Sequence, residues 1–286
     1  MAASRACDCD LMKSITQLAL IFFTTAIEPK AIASEALTLG WTNNLLTISS
    51  PKLPGGRIEI WYLEAFCRKG STQRDWGKTT LPHHTSLLSR DPRHLRFRTN
   101  VDPDVEVLHE VSSSADEVQF DFAFTNHGSR SLDLEWFQPA CIRVHDFTGL
   151  EQTNFINRSF IFTDRGLTTL NNTGRHEDAL YRGGQVYVPR GVDLQDVNPR
   201  PLASAQPTNG LIGCFAADGQ HLLATASSAT QELFEGVYVC LHSDPRVGGL
   251  AARETKRIRA KIYLLKNDTN ELLRRYARDF GGLSAQ

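Results

Sequence analysis

Apolar and polar residues alternate in short runs through most of the chain. Val118, Phe120, Phe122 and Phe124 place four apolar side chains on one face of a predicted strand, with Gln119 and Asp121 on the other. Leu132, Leu134 and Trp136 repeat the pattern against Asp133 and Glu135. Leu37, Leu39 and Trp41, then Leu45, Leu46 and Ile48, then Ile58, Ile60 and Tyr62 open the series. Shorter runs predict strands at 142–144, 160–162, 186–188, 222–226, 237–241 and 258–265. A period of two buries one face and wets the other, the pattern of antiparallel sheets in sandwiches. Turn residues separate the runs at Pro54-Gly55-Gly56, Asn126-His127-Gly128, Arg182-Gly183-Gly184, Asn209-Gly210 and Ala217-Asp218-Gly219, the last with the look of a hairpin.

One helix is predicted. Asp268 stands at its N-cap with Glu271 three residues on, Leu272, Leu273, Tyr276 and Phe280 share a stripe, and Gly281-Gly282 ends it. It is expected to pack on an edge of the sandwich. The stretch from Tyr187 to Asn209 is rich in Pro, Asn and Asp. It reads as a long ordered loop anchored by Val188, Val192, Leu194 and Val197. The fold class is therefore all-β: one large antiparallel β-sandwich with a C-terminal helix.

The N-terminal segment changes the picture of where this sandwich works. Lys13 precedes an apolar run from Ile15 to Ile27, and Ala31-Ile32-Ala33 supplies a small-x-small cleavage pattern. Residues 1–33 read as a signal peptide and 34–286 as a single domain, secreted or periplasmic. After cleavage no segment is apolar enough to span a membrane. The formal net charge of −1 sets up no field for nucleic acid or an anionic surface. The basic cluster Arg253, Lys256, Arg257, Arg259 and Lys261 reads as the wet face of a strand. In the mature region, Cys67, Cys141, Cys214 and Cys240 sit in apolar, strand-like contexts, so disulfides and buried thiols both remain open. They lack the close paired spacing of a structural zinc site, and no metal is expected.

Phosphate loops, nucleophile elbows, zinc-protease helices and calcium loops are all missing, so no cofactor is expected. Four polar clusters remain. Glu64 interrupts the apolar run Trp61 to Cys67, and Arg68 follows with the same strand parity, which predicts an ion pair or a site. Trp136 beside Gln138, at a strand broken by Pro139, suits stacking on a sugar ring with hydrogen bonds to its hydroxyls. Asp196, Asn198 and Arg200 lie in a stretch stiffened by Pro199 and Pro201. Gln231 and Glu232, then His242, Asp244 and Arg246, form the fourth cluster; there an apolar strand, Val237 to Leu241, ends in polar groups as if entering a cleft. His242 suits acid or base work near neutral pH, with Glu232 or Asp244 as partner. His83 and His84 are the one adjacent histidine pair; on a strand they face opposite ways, and one of them, His83, is taken as a substrate contact.

The stretch Val239-Cys240-Leu241 resembles a strand of the galactose mutarotase (aldose 1-epimerase) superfamily, in which the catalytic glutamate follows the leucine directly. Leu250-Ala251-Ala252-Arg253-Glu254-Thr255 is similar to the Leu-x-x-Gly-Glu turn after it, with Arg253 at the glycine position, and Lys256 to Leu265 would be the final strand. The resemblance implies a large super-sandwich that binds sugar on a concave face. His242 stands where the family carries its glutamate, and nothing matches the family's catalytic histidine.

Together these readings point to a secreted carbohydrate-binding or carbohydrate-active protein acting on oligo- or polysaccharide. His242, Glu232, Asp244 and Glu64 are the candidate proton carriers. Arg68, His83, Trp136, Gln138, Asp196, Asn198, Arg200, Gln231 and Arg246 are the candidate substrate contacts. If it is catalytic, glycoside cleavage by hydrolysis or by lyase chemistry fits these residues better than epimerisation. The alternatives are a non-catalytic cell-envelope domain and a metal-assisted hydrolase using two or three of His83, His242, Asp244 and Glu232.

Overall fold

In the computed structural model, which describes residues 36–180 and 183–281, the alternating runs form two antiparallel sheets. One sheet has seven strands, in the spatial order β1 (Thr38–Thr42), β2 (Leu45–Ser49), β3 (Arg57–Cys67), β8 (Trp136–Arg143), β15 (Cys240–Pro245), β14 (Thr230–Gly236) and β11 (Gln185–Tyr187). The other has nine: β10 (Gly166–Thr169), β9 (Ser159–Thr163), β12 (Ile212–Phe215), β13 (His221–Ser227), β16 (Thr255–Lys266), β7 (Glu117–Asn126), β6 (Val105–Ser113), β5 (His94–Val101) and β4 (His83–Asp91). The expected export segment, residues 1–33, lies outside the described residues, as do Arg182 of an expected turn and Gly282 of the expected helix end.

The period-two patterns point into the space between the sheets. Val118, Phe120, Phe122 and Phe124 of β7 are all buried there. Phe66 of β3 stacks on Phe137 of β8 at 5.7 Å, and Phe137 meets Phe122 and Phe124 edge-on at 5.1 and 5.0 Å across the gap. Each such ring contributes roughly 1.5–3 kcal/mol of burial free energy, so this aromatic seam joins the layers and leaves the outer faces free for other uses.

A bulge decides what the outer face of the seven-stranded sheet carries. Between Tyr62 and Ala65 the register of β3 on β8 shifts, with Leu63 in the left-handed region (φ 56°). Simple alternation would put Glu64 on the buried side with Tyr62. The extra residue turns Glu64 outward, on the same face as Trp61, and returns Phe66 to the core.

Several expectations need correction. Val237 to Val239 belong to the turn between β14 and β15, where Val239 has φ 55° and its N–H donates to the Gly236 carbonyl oxygen at 3.1 Å; the strand starts at Cys240. Besides α4 (Thr269–Phe280), the described residues form three short α-helices, α1 (Trp76–Thr79), α2 (His145–Thr148) and α3 (Gln152–Arg158), and two 3-10 turns, Ser71–Gln73 and Leu170–Asn172. Helix α4 packs on a sheet face instead of an edge. Its Leu272 and Phe280 cover Leu222 and Ala224 of β13 and Tyr263 and Leu265 of β16, both interior strands. The Asp268 carboxylate caps it by accepting from the N–H groups of Asn270 and Glu271, while Glu271 pairs with Arg274 and Arg275 in place of closing a capping box. At the turn before β16, Arg253 adopts φ 64°, the conformation that the resembling turn reaches with glycine.

Candidate functional site

The outer face of β3, β8, β15 and β14 is a field of polar side chains set in a sheet. Alternation places Trp136 and Gln138 of β8 on this side, and the register shift against β3 brings Cys141, opposite Trp61, to the same side; Cys240, His242 and Asp244 of β15 and Glu232 and Phe234 of β14 join them. Asp244 lies opposite Glu232, and His242 opposite Phe234, across the β14–β15 ladder. Gln138 Nε2 donates to Asp244 Oδ2 at 3.0 Å. His242 Nδ1 stands 3.6 Å from Asp244 Oδ1, and His242 Nε2 stands 3.6 Å from Cys240 Sγ.

Two segments roof this field and leave a pocket. The 188–202 loop is pinned from below by Val186, Val188, Val197 and Phe234, which cluster with Val192 and Leu202; Leu194, expected as an anchor, is 53% exposed. Its backbone is tied to the 70–73 segment, with Gly70 N–H donating to Asp196 Oδ1 at 2.6 Å and Ser71 Oγ to the Val197 carbonyl at 2.8 Å. Asn198 N–H donates to Glu232 Oε2 at 2.7 Å, so the loop also rests on the buried acid. Between the roof and the sheet lies a cavity of about 220 Å³ lined by Trp61, Glu64, Trp76, Gln138, Cys141, Asn198, Arg200, Phe234, Tyr238, Cys240 and His242. Gly183 gives Arg200 its place: a Cβ there would meet the guanidinium carbon at 2.9 Å. The cavity shares Trp61 and Glu64 with a neighbouring groove of about 450 Å³ that includes Asn43, Asn44, Glu59, His83 and Arg143. A larger hollow of about 690 Å³ beside α4 has the exposed charged residues Asp164, Arg165 and Arg190 in its lining, and so lacks the buried acids and histidine of the first.

The electrostatics follow from burial. Loss of hydration, reinforced by the Asp244 carboxylate, raises the Glu232 carboxyl well above its usual range. Glu64 opens to the hollow with its pKa also raised, by partial desolvation first and with His242 pulling the other way. Burial resists charging of His242, but the Cys141 sulfur and the Asp244 carboxylate outweigh it and raise the imidazole. The Cys141 thiol is pushed up by its contact with Cys240 and by burial, and Cys67 by burial and the three nearby carboxyls. Buried atoms without hydrogen-bond partners gather here: Glu232 Oε1, His242 Nδ1 and Asp244 Oδ1. Unsatisfied groups of this kind cost stability, and several in one place suggest a purpose beyond folding.

The structure brings Glu64, Gln138, Asn198, Arg200 and His242 to one cavity, with Glu232 and Asp244 buried in its floor. The remaining expected site residues are placed otherwise. Trp136 is fully buried, its Nε1 donating to Ser71 Oγ at 3.1 Å, so it cannot stack on a ligand. Asp196 and Gln231 are buried in loop hydrogen bonds, Gln231 Nε2 donating to the Asp196 carbonyl. Arg246 pairs with Glu135. Arg68 does not pair with Glu64 among the described residues, because the bulge breaks their shared parity. His83 borders the neighbouring groove, with Nε2 at 3.0 Å from the Leu63 carbonyl oxygen. Of the residues named for a metal-assisted hydrolase, His242 and Asp244 stand 3.6 Å apart, but among the described residues no three of His83, His242, Asp244 and Glu232 come together as a set that could hold an ion. Cys67, Cys141, Cys214 and Cys240 are all free and buried.

Sequence reasoning missed the rim. Trp61, Trp76 and Tyr238 border the pocket and are 37%, 39% and 69% exposed. Arg143 lies 3.9 Å over the Trp61 ring and Tyr238 stands 6.0 Å from it. Tyr238 was hidden by its apolar neighbours, which read as strand. The clue to Trp76 was the lack of any apolar pattern around it.

No family model and no curated protein matches the chain. Solved structures similar to it include a putative aldose 1-epimerase from Escherichia coli K12, with 10% identity over 80% of this chain and 99% of that one and a TM-score of 0.39. A galactose mutarotase-like protein from Lactobacillus casei ATCC 334 has 12% identity over 80% and 99%, with a TM-score of 0.42. Galactose 1-epimerase from Lactobacillus acidophilus NCFM has 10% identity over 82% and 98%, with a TM-score of 0.41. The chain is thus distantly similar in structure to galactose mutarotase-like proteins, the family that its Val239–Thr255 stretch resembles.

Proposed function

We propose that the chain binds a neutral carbohydrate across the pocket and the adjoining groove, outside the cytoplasm, to which the 1–33 segment would deliver it. The observation that carries the reading is the conjunction of an exposed aromatic rim, Trp61, Trp76 and Tyr238, with a floor of hydrogen-bonding groups. Aromatic faces suit the C–H faces of a sugar ring, and fixed polar groups suit its hydroxyls. At about 220 Å³ the inner pocket falls below the roughly 300–1,000 Å³ of drug-sized sites and suits one ring. The groove beyond Trp61 would take a further unit. Three carboxyls around the floor disfavour a uronic acid and favour hydroxyl donors.

The geometry supports recognition more than hydrolysis. Paired-carboxylate hydrolysis requires two acids facing one bond. Here Glu64 alone among the acids lines the cavity, while Glu232 and Asp244 are fully buried.

Glycan-array screening of the purified protein, followed by calorimetry, tests the proposal. Binding of neutral oligosaccharides is expected, weakened by Trp61→Ala and Tyr238→Ala. A broad panel without binding would overturn it. For export, N-terminal sequencing of the cell-envelope fraction is expected to begin at Ser34, and an intact N-terminus found only in the cytosol would refute it.

A further inference from the structure

The floor of the pocket holds a second kind of chemistry, one that does not depend on the sugar reading. Cys141, Cys240 and His242 each present one ligand atom, and these atoms all lie within 4.8 Å of one another. The three residues are 2%, 2% and 1% exposed, yet all three line the cavity. We propose that they form a site for a zinc ion, with two sulfur ligands, one nitrogen ligand and a fourth position open toward the pocket.

The geometry accounts for each part. Cys240 and His242 are two residues apart on β15 and so share a face. Strand β8 pairs with β15 through Cys240 opposite Arg143 and Leu241 opposite Ile142, which brings Cys141 alongside. Around a tetrahedral zinc with bonds of roughly 2.3 Å to sulfur and 2.0 Å to nitrogen, neighbouring S and N ligands stand about 3.5 Å apart. Cys240 Sγ and His242 Nε2 are 3.6 Å apart. The other ring nitrogen, Nδ1, faces Asp244 Oδ1 at 3.6 Å, and both atoms otherwise lack partners. A histidine that turns one nitrogen to a carboxylate and the other to a thiol is arranged as metal-bound histidines are: the carboxylate takes the N–H and fixes the tautomer. Asp244 is in turn held by Gln138. Gly236 leaves the space that Cys240 Sγ occupies, since a Cβ there would come within 2.6 Å of the sulfur. On binding, two S–H bonds are replaced by two zinc–sulfur bonds, His242 binds through an unprotonated Nε2, and every proton displaced from the three ligands leaves to solvent. Two thiolates neutralise the ion in a dry floor, and sulfur with imidazole selects zinc over magnesium or calcium.

The test uses the purified, reduced full-length chain in the absence of any sugar. After chelation and dialysis it is titrated with zinc, and in parallel with cobalt(II) as a spectroscopic probe. We expect about one ion per chain, a thiolate-to-cobalt charge-transfer band, and an X-ray absorption shell with two sulfurs. Cys141→Ala and Cys240→Ala should each abolish the band. Asp244→Asn should weaken binding roughly 10–100-fold. Cys214→Ala, in a thiol buried between the sheets, should leave it unchanged. The absorption shell is read on the unsubstituted protein, so a variant that fails to fold does not obscure the answer. A shell of oxygen and nitrogen alone, no stoichiometric retention, or a Cys141–Cys240 disulfide in the native protein would each overturn the site. None of these readouts requires carbohydrate, so this proposal and the sugar proposal can fail separately.

Discussion

Replacing Trp61 by alanine tests the pocket most directly. The ring is 37% exposed, and of the roughly 250 Å² that a large aromatic side chain can bury this leaves about 90 Å² for a ligand. At about 25 cal/mol per Å², covering all of it would contribute about 2 kcal/mol, or roughly 30-fold in affinity. Partial cover by a sugar ring makes that an upper figure. The change is local: Trp61 projects from the outer face, where its ring meets Arg143 and Tyr238. Loss of the Arg143 contact costs about 0.5–1 kcal/mol of stability, too little to unfold the chain. Isothermal calorimetry with the best-binding oligosaccharide from the array should show a 5- to 30-fold rise in Kd, with Trp61→Phe intermediate. An unchanged Kd in a variant of wild-type thermal stability would refute the assignment of the rim.

Three further outcomes concern the scaffold. His109 is buried between Tyr62 Oη (2.8 Å) and Thr99 Oγ1 (2.9 Å), and burial lowers its pKa to about 3. The unfolded chain, with a histidine near 6.5, takes up a proton that the folded chain refuses. Stability should therefore fall as pH drops from about 6.5 towards 3, by roughly 5 kcal/mol from this group. Urea unfolding at pH 7 and pH 4 should show the loss, and His109→Gln should flatten it. Asp268→Ala removes the cap that accepts from Asn270 and Glu271 and should cost about 1 kcal/mol, read from the same urea curves. Leu272→Ala, at a fully buried position under α4, should cost about 2–5 kcal/mol and lower the Tm by several degrees.

Much of the sandwich was legible because alternation is a local signal. Val118 to Phe124 carry their face and their strand in one stretch of sequence, and the final strand at β16 runs one residue beyond the expected Lys256 to Leu265 at each end. Legibility ended where local pattern and conformation part company. Val237, Tyr238 and Val239 have strand composition, yet they make the turn, because Val239 accepts a left-handed backbone that no apolar pattern encodes. The parity of Glu64 and Arg68 was real in the sequence and cancelled by one bulge residue, Leu63. Trp136 beside Gln138 looked like a sugar platform. Its burial depends on Ser71, 65 residues away in sequence, and on a roof that sequence alone does not place.

The site itself shows why such roofs matter. On an open outer face, Glu232, Asp244 and His242 would be hydrated, with ordinary charges and little tendency to hold one geometry. Once the 188–202 loop and the 70–76 segment cover them, hydration is lost, and each must find a partner or change its protonation. Gln138 and the Asn198 N–H satisfy one oxygen each of Asp244 and Glu232, while Glu232 Oε1 has no hydrogen-bond partner and Asp244 Oδ1 and His242 Nδ1 face each other at 3.6 Å without a hydrogen bond. A sandwich that needed only stability could carry apolar residues here, as the same strands do on their inner face with Leu233 and Leu241. The polar set is placed where it costs most, beneath a pocket, and the proposed ligand is the term that would offset that cost.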